Sequence, residues 1–302
     1  MQNEPIVITK NSFFSLLFLV VSYISTGQVH LGYTLDIDDS FTLHQDVIQI
    51  ITQDLQGTTQ EIKNNLQGTM YFIVKEKTEE NITLDVGFKS FYMKTSSEQL
   101  GGVLVEIDTE AEEQTPESKM FMGLIDSSIG IIIDYSGKIM EVQNGDTFIN
   151  NMLNGMGITD PAILEQTKKQ LEKDWSGEAL GRSFEQVLFN YPNTKVKQGD
   201  SWKNEFVSET GLNATNTWTL DAIENDSYKI SGTADVFMKT TNAQITMNLS
   251  GTQQTDLVAD SKHKFPIKIT VISTVEGDAY PPSMPDYKIP TKIVSTTTYT
   301  RL

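Results

Sequence analysis

Asp146–Tyr191, DTFINNMLNGMGITDPAILEQTKKQLEKDWSGEALGRSFEQVLFNY, is the one long stretch of this 302-residue chain that reads as helix. Asp160-Pro161 is a start signal: the Asp carboxylate caps free backbone N–H groups, and proline is pre-set for the first helical position. Leu164, Thr167, Leu171 and Trp175 then recur at helical spacing between charged residues. A shorter amphipathic turn precedes them, with Phe148, Ile149, Met152 and Leu153 before the Gly155–Gly157 region. A third short helix carries Phe184, Val187 and Leu188 and stops at Tyr191-Pro192.

On both sides of this stretch the pattern changes to strand. Ile82, Leu84, Val86, Phe88 and Tyr92 alternate with Thr83, Asp85, Lys89 and Phe91. Phe265, Ile267, Ile269, Val271 and Val275 share one face of a later segment, with Lys268, Thr270 and Ile272 on the other. Such alternation describes antiparallel strands with one buried and one wet face. Further strands are expected at 41–51, 69–77, 103–107, 195–206, 215–223, 228–240, 243–254 and 289–299. Asp134-Tyr135-Ser136-Gly137 reads as a hairpin turn. Gly277 to Pro290 is proline-rich and reads as an irregular crossing. The acidic run EIDTEAEEQTPE at 106–117 lacks the order and the glycine of a calcium loop and reads as a solvated loop.

Two phrases recur across the helical middle. Phe91-Tyr92-Met93-Lys94-Thr95 matches Val236-Phe237-Met238-Lys239-Thr240, and Ile133-Asp134 before Lys138-Ile139 parallels Ala259-Asp260 before Lys264-Phe265. The expected fold is therefore α+β and mainly antiparallel β. Two β repeats, 28–143 and 192–302, form a curved sheet or half-open barrel, and the helical segment 144–191 packs on one face. Residues 28–302 are expected to make one compact unit.

Composition narrows the function classes. A net charge of −17 repels nucleic acid and anionic membrane surfaces. No cysteine is present, which excludes disulfides, thiol nucleophiles and thiolate metal sites. With three histidines, a histidine-based metal or acid–base site has few residues to draw on. No phosphate loop, dinucleotide fingerprint, nucleophile elbow or His-Glu-x-x-His occurs, so no catalytic residue, metal or cofactor is expected. Residues 1–27 read as an export signal: Lys10, an apolar run from Phe13 to Ser25 too short to span a bilayer comfortably, then Ser25-Thr26-Gly27. No later apolar run is long enough for a transmembrane helix. The protein is thus expected outside the cytoplasm, periplasmic or extracellular, without an acyl anchor through cysteine.

The signal, the phrase Val196-Lys197-Gln198-Gly199-Asp200-Ser201-Trp202 and the strands–helices–strands order resemble an uncharacterised family of exported Bacteroidota proteins, a domain of unknown function. Many of its members look like lipoproteins; this chain departs from them in having no cysteine. Leu257–Lys268, LVADSKHKFPIK, is similar to the strand-Asp-turn-Pro-strand phrase of periplasmic lipoprotein carriers and related lipid-binding lipoproteins. That resemblance implies a curved antiparallel sheet covered by helices, with an apolar cavity between. The leading expectation is a non-catalytic binding protein holding a lipid-like or other apolar small molecule. Phe148, Met152, Trp175, Phe184 and Leu188 would line the groove from the helices, facing Phe88, Tyr92, Val236 and Met238. The alternatives are a structural or adhesive surface module with a cell-envelope protein partner, and an unrecognised hydrolase.

Overall fold

In the computed structural model the described residues are 27–125, 127–207, 211–241, 245–284 and 286–302. The expected export signal falls almost wholly outside them. Among the described residues twelve strands form a single antiparallel sheet. The first six are β1 (Ser40–Leu55), β2 (Thr58–Lys77), β3 (Asn81–Ser97), β4 (Gly102–Asp108), β5 (Ser128–Asp134) and β6 (Ile139–Gln143). Then come the helices α2 (Thr147–Met156), α3 (Pro161–Trp175) and α4 (Gly177–Leu188); a one-and-a-half-turn helix, α1 (Pro116–Phe121), lies between β4 and β5. The chain ends with β7 (Ser201–Val207), β8 (Leu212–Ile223), β9 (Ser227–Thr241), β10 (Thr246–Asp260), β11 (Pro266–Tyr280) and β12 (Ile289–Arg301).

The strand order is β6-β5-β3-β2-β1-β12-β11-β10-β9-β8-β7, with β4 paired to β3 off this path. The chain meanders outward from β1 to one edge, crosses through the helices, and meanders back from the other edge to pair β12 with β1. The recurring phrases fall on β3 and β9, and the two Asp turns join β5 to β6 and β10 to β11. The α+β class and the antiparallel sheet are as the sequence predicts. The sheet is open and does not curl into a closed barrel: its outer strands β6 and β7 are not paired with each other. α4 nevertheless meets both. Ile139 N of β6 donates to Glu185 Oε1, and Asn204 Nδ2 and Trp202 Nε1 of β7 donate to the carbonyls of Phe189 and Asn190 just past its end. Laid flat, the strands of this order would spread over about 48 Å at ~4.8 Å apiece, whereas α4 spans about 18 Å. The sheet therefore bends over α4, which places the helix inside the trough.

Local chemistry sets these elements. Asp160 Oδ1 accepts from Ala162 N and Ile163 N at the start of α3, and Ser176 Oγ accepts from Ala179 N at the start of α4. The start of α4 can approach the turn before α2 because both contacts are glycine: a Cβ on Gly177 would lie 2.8 Å from the Gly145 Cα. Some expectations need correction. β2 begins eleven residues before the expected strand, at Thr58, because a turn at Gln56-Gly57 lets it pair along all of β1. Residues 195–200 of the expected strand are not part of β7; Val196 instead bridges Val29. The acidic stretch 106–117 contains the end of β4 and the start of α1, whose signal is the Thr115 cap followed by Pro116.

Among the described residues two apolar clusters fill the inner face. The larger includes Tyr33, Phe41, Phe72 and Phe265, the last stacked on Phe41 at 4.1 Å and edge-on to Phe72 at 5.5 Å. The segment before β1 seals this end: Tyr33 N donates to Tyr135 O and Thr34 N to His263 O, tying together the two Asp turns. The smaller cluster, at the other end of the C-terminal strands, comprises residues such as Phe206, Val236, Leu249, Val275 and Ile293. No helix among the described residues is long and apolar enough to cross a membrane.

Candidate functional site

The site is the space left around α4 inside the trough. One chamber, of about 230 Å³, lies between α4 and β2–β3 and is walled by Phe88, Phe91, Trp175, Leu180, Phe184 and Val187. A second, of about 180 Å³, lies against β7–β12 and is walled by Phe189 and Asn190 after α4 together with inward side chains of the strands, Val236 and Met238 among them. Tyr299 and its strand neighbours mark the division: Tyr299 lines both chambers, and Gln45 Nε2 donates to its hydroxyl at 3.0 Å. Burial drives the Tyr299 hydroxyl pKa above its ordinary value, so the ring stays neutral.

The residues expected to line one groove are distributed differently. Phe88, Trp175 and Phe184 meet in the first chamber, where the rings of Trp175 and Phe184 each lie 6.4 Å from that of Phe88. Val236 and Met238 line the second. Phe148 and Met152 are fully buried in α2 and belong to the packed core, Phe148 edge-on to Phe88 at 5.7 Å. Leu188 is also fully buried, and its carbonyl accepts from the Tyr33 hydroxyl. Tyr92 sits on the opposite face, where its hydroxyl donates to Glu106. The reason is a bulge: Thr69 pairs with Ser90 and Met70 with Phe88, so Lys89 is an extra residue and the inward parity changes from Phe88 to Phe91.

The second chamber has a feature that strand-by-strand reading does not reveal. In direct cross-strand register, Gln49 pairs with Ser295, Ser295 with Ser273, and Ser273 with Gln253. The row continues through Ala234 to Asn216 and Asn204 on one side, and to Asn64 and Thr95 on the other. Eight of these nine inward positions are uncharged polar residues. The row on one side of this belt is Ile51, Ile293, Val275, Gly251, Val236, Ala214 and Phe206. Two rows away on the other side lie Tyr299, Ile269, Leu257, Ile230 and Leu220. The ends of the belt are hydrogen-bonded: Thr95 Oγ1 donates to Asn64 Oδ1 and Asn64 Nδ2 to Gln49 Oε1, while Asn216 Nδ2 donates to Asn204 Oδ1. At its centre Gln49, Gln253, Ser273 and Ser295 are half-buried and face the chamber.

Glu185 is the charged residue in that chamber's lining among the described residues. Its carboxylate accepts from Ile139 N and lies 3.8 Å from Arg182. Burial nevertheless raises its pKa above the ordinary carboxylate value, partly offset by those two partners. At the sealed end His263 stands between Asp39 and Asp260, at 3.6 and 3.5 Å, edge-on to Phe41. No cluster of metal-ligating side chains occurs among the described residues.

No curated protein matches this chain. Among solved structures, one of lipovitellin, described as showing lipid–protein interactions, aligns with TM-score 0.47 and 11% identity over 89% of this chain and 25% of that one. This chain thus spans a quarter of the lipovitellin chain. A DUF1329 family protein from Desulfovibrio piger aligns with TM-score 0.14 and 11% identity, over 86% and 85% of the two chains. Both are too remote to carry an argument. The model of a family of unknown function, DUF6263, matches residues 79–266, from the start of β3 to the start of β11, and so the protein belongs to that family.

Proposed function

We propose that the protein is an exported, non-catalytic binding protein that holds a lipid-like or other apolar small molecule in the trough between sheet and helix. The observation that carries this reading is the pair of largely apolar chambers flanking α4 on the inner face of the sheet, which meet at Tyr299. Each chamber alone is smaller than the ~300 Å³ at which ligand pockets usually begin, but the two joined exceed it. The apolar run at 13–25 supports export, and the lack of cysteine supports a soluble periplasmic or extracellular form.

The test is native mass spectrometry of the protein purified from its own host, with organic extraction, beside uptake of a neutral naphthylamine fluorophore by the emptied protein. A stoichiometric co-purifying lipid, or saturable uptake that Tyr299→Ala increases by joining the chambers, supports the reading. A bare protein mass together with no uptake by either form overturns it. A second reading, a surface interaction module with a cell-envelope partner, is favoured by β4. Among the described residues this strand pairs with β3 alone, and it exposes Val103, Leu104 and Val105.

A further inference from the structure

We infer that the second chamber selects an uncharged acyl amphiphile, a neutral ester or amide lipid whose polar linkage lies on the cross-strand belt and whose apolar part lies along the flanking rows. This inference rests on the binding reading above and specifies its ligand. The first argument is placement. On a half-buried sheet the inward positions are normally apolar; here the row of Ile293 and Val275 is, and the row directly on the other side holds two threonines, Thr297 and Thr255, among valines and tryptophans. A belt of polar side chains at one register level, centred on a cavity, marks the height at which a bound molecule must offer hydrogen-bonding groups.

The second argument is charge. A carboxylate or phosphate brought to the belt would meet no cation, and the charged group of the lining is itself a carboxylate, Glu185. Burying an unpaired anion there costs far more than burying an ester or amide, which the belt can satisfy. A cationic head group fares little better, because Glu185 is already engaged by Ile139 N and Arg182. The third argument is hydrogen-bonding capacity. The hydroxyls of Ser273 and Ser295 have no hydrogen bond to protein groups among the described residues, and each can donate to a carbonyl or accept from a hydroxyl or amide. Gln49 is held by Asn64 Nδ2 through its oxygen, so its amide nitrogen remains a donor for the chamber. An alkane would leave these groups unsatisfied, whereas a neutral carbonyl or hydroxyl would pair with them.

The experiment is displacement of a neutral naphthylamine fluorophore from the delipidated full chain by four competitors of equal acyl length: a monoacylglycerol, an N-acylethanolamine, the fatty-acid anion and a lysophosphatidylcholine. The monoacylglycerol and the acylethanolamine should displace at least about tenfold more effectively than the anion and the zwitterion, whose charges find no partner at the belt. The paired substitution Ser273→Ala and Ser295→Ala removes two half-buried hydroxyls without changing the fold. It should weaken the neutral lipids about tenfold and so erase their advantage over the fatty-acid anion. If a charged competitor displaces as well as the neutral ones, or if the serine variant keeps the full preference for the neutral lipids over the fatty-acid anion, the belt does not select the ligand and the inference is wrong. If the fluorophore never binds, the binding reading fails before the inference does.

Discussion

Phe265 is the residue whose loss should report most directly on how the two halves of the sheet are joined. It opens the last pair of strands, yet its ring packs on Phe41 of β1, Phe72 of β2 and Tyr33 of the segment before them, and it is fully buried. Phe265→Ala removes a ring from a site that cannot collapse around the gap, a change that costs about 3–5 kcal/mol. Three aromatic neighbours put this site at the upper end of that range. For a chain of this size each kcal/mol lowers the melting temperature by about 2–4 °C, so a fall on the order of 10–15 °C is expected. Phe265→Leu keeps most of the volume and should lose about 1.5 kcal/mol. Phe237→Ala removes the same side chain from the wet face of β9, where it is 59% exposed, and should change stability by less than about 0.5 kcal/mol. Differential scanning calorimetry of the three variants is the assay. A melting temperature for Phe265→Ala within about 3 °C of the parent would refute the claim that one core joins the halves. So would a thermogram in which residues of the C-terminal strands melt in a separate transition.

Two further outcomes follow from local electrostatics and turn chemistry. Burial raises the folded-state pKa of Glu185 above its unfolded value, so the folded chain binds this proton more readily; stability contributed by the group is present at low pH and lost as pH rises through that window. Urea midpoints measured between about pH 4 and about pH 8 should therefore show Glu185→Gln gaining on the parent as pH rises, and a constant difference would remove Glu185 as the cause. Asp134 Oδ1 accepts from Ser136 N, Ser136 Oγ and Lys138 N at the turn that Tyr33 then joins. Asp134→Ala should cost about 1–2 kcal/mol by urea denaturation and Asp134→Asn about half of that; equal losses would show that the acceptor is not what holds the turn.

Much of the frame was legible because it rests on local rules. The cap at Asp160, the 3.6-residue spacing of α3 and α4, and the two-residue alternation of the strands each depend on neighbours a few positions away. The Asp134 and Asp260 turns were legible for the same reason, since each carboxylate bonds its own turn's N–H groups. Tyr92 shows where that local reading stops: one extra residue, Lys89, reverses the faces, and a bulge exists only in relation to a paired strand.

The candidate site divides along the same line. The sequence by itself determined that aromatic and Met side chains from the helical middle would meet the sheet, because amphipathic faces must be buried against something. It also determined the acidic, cysteine-free character that disfavours nucleic acid, disulfides and thiolate metal sites. Tertiary structure alone decided that α4 would sit inside the bend of the sheet and touch both of its edges. It decided that Phe148, Met152 and Leu188 would fill core while Phe88, Trp175 and Phe184 would wall a space, and that Tyr299 would divide that space from the chamber of Val236 and Met238. Above all it made the belt. Gln49, Ser295, Ser273 and Gln253 lie far apart along the chain and are each unremarked in their own strand; only the register of four strands, one of them from the opposite end of the chain, puts them side by side at one height. Register is a property of pairs of strands, fixed by turns and long-range pairing, and no single strand carries it.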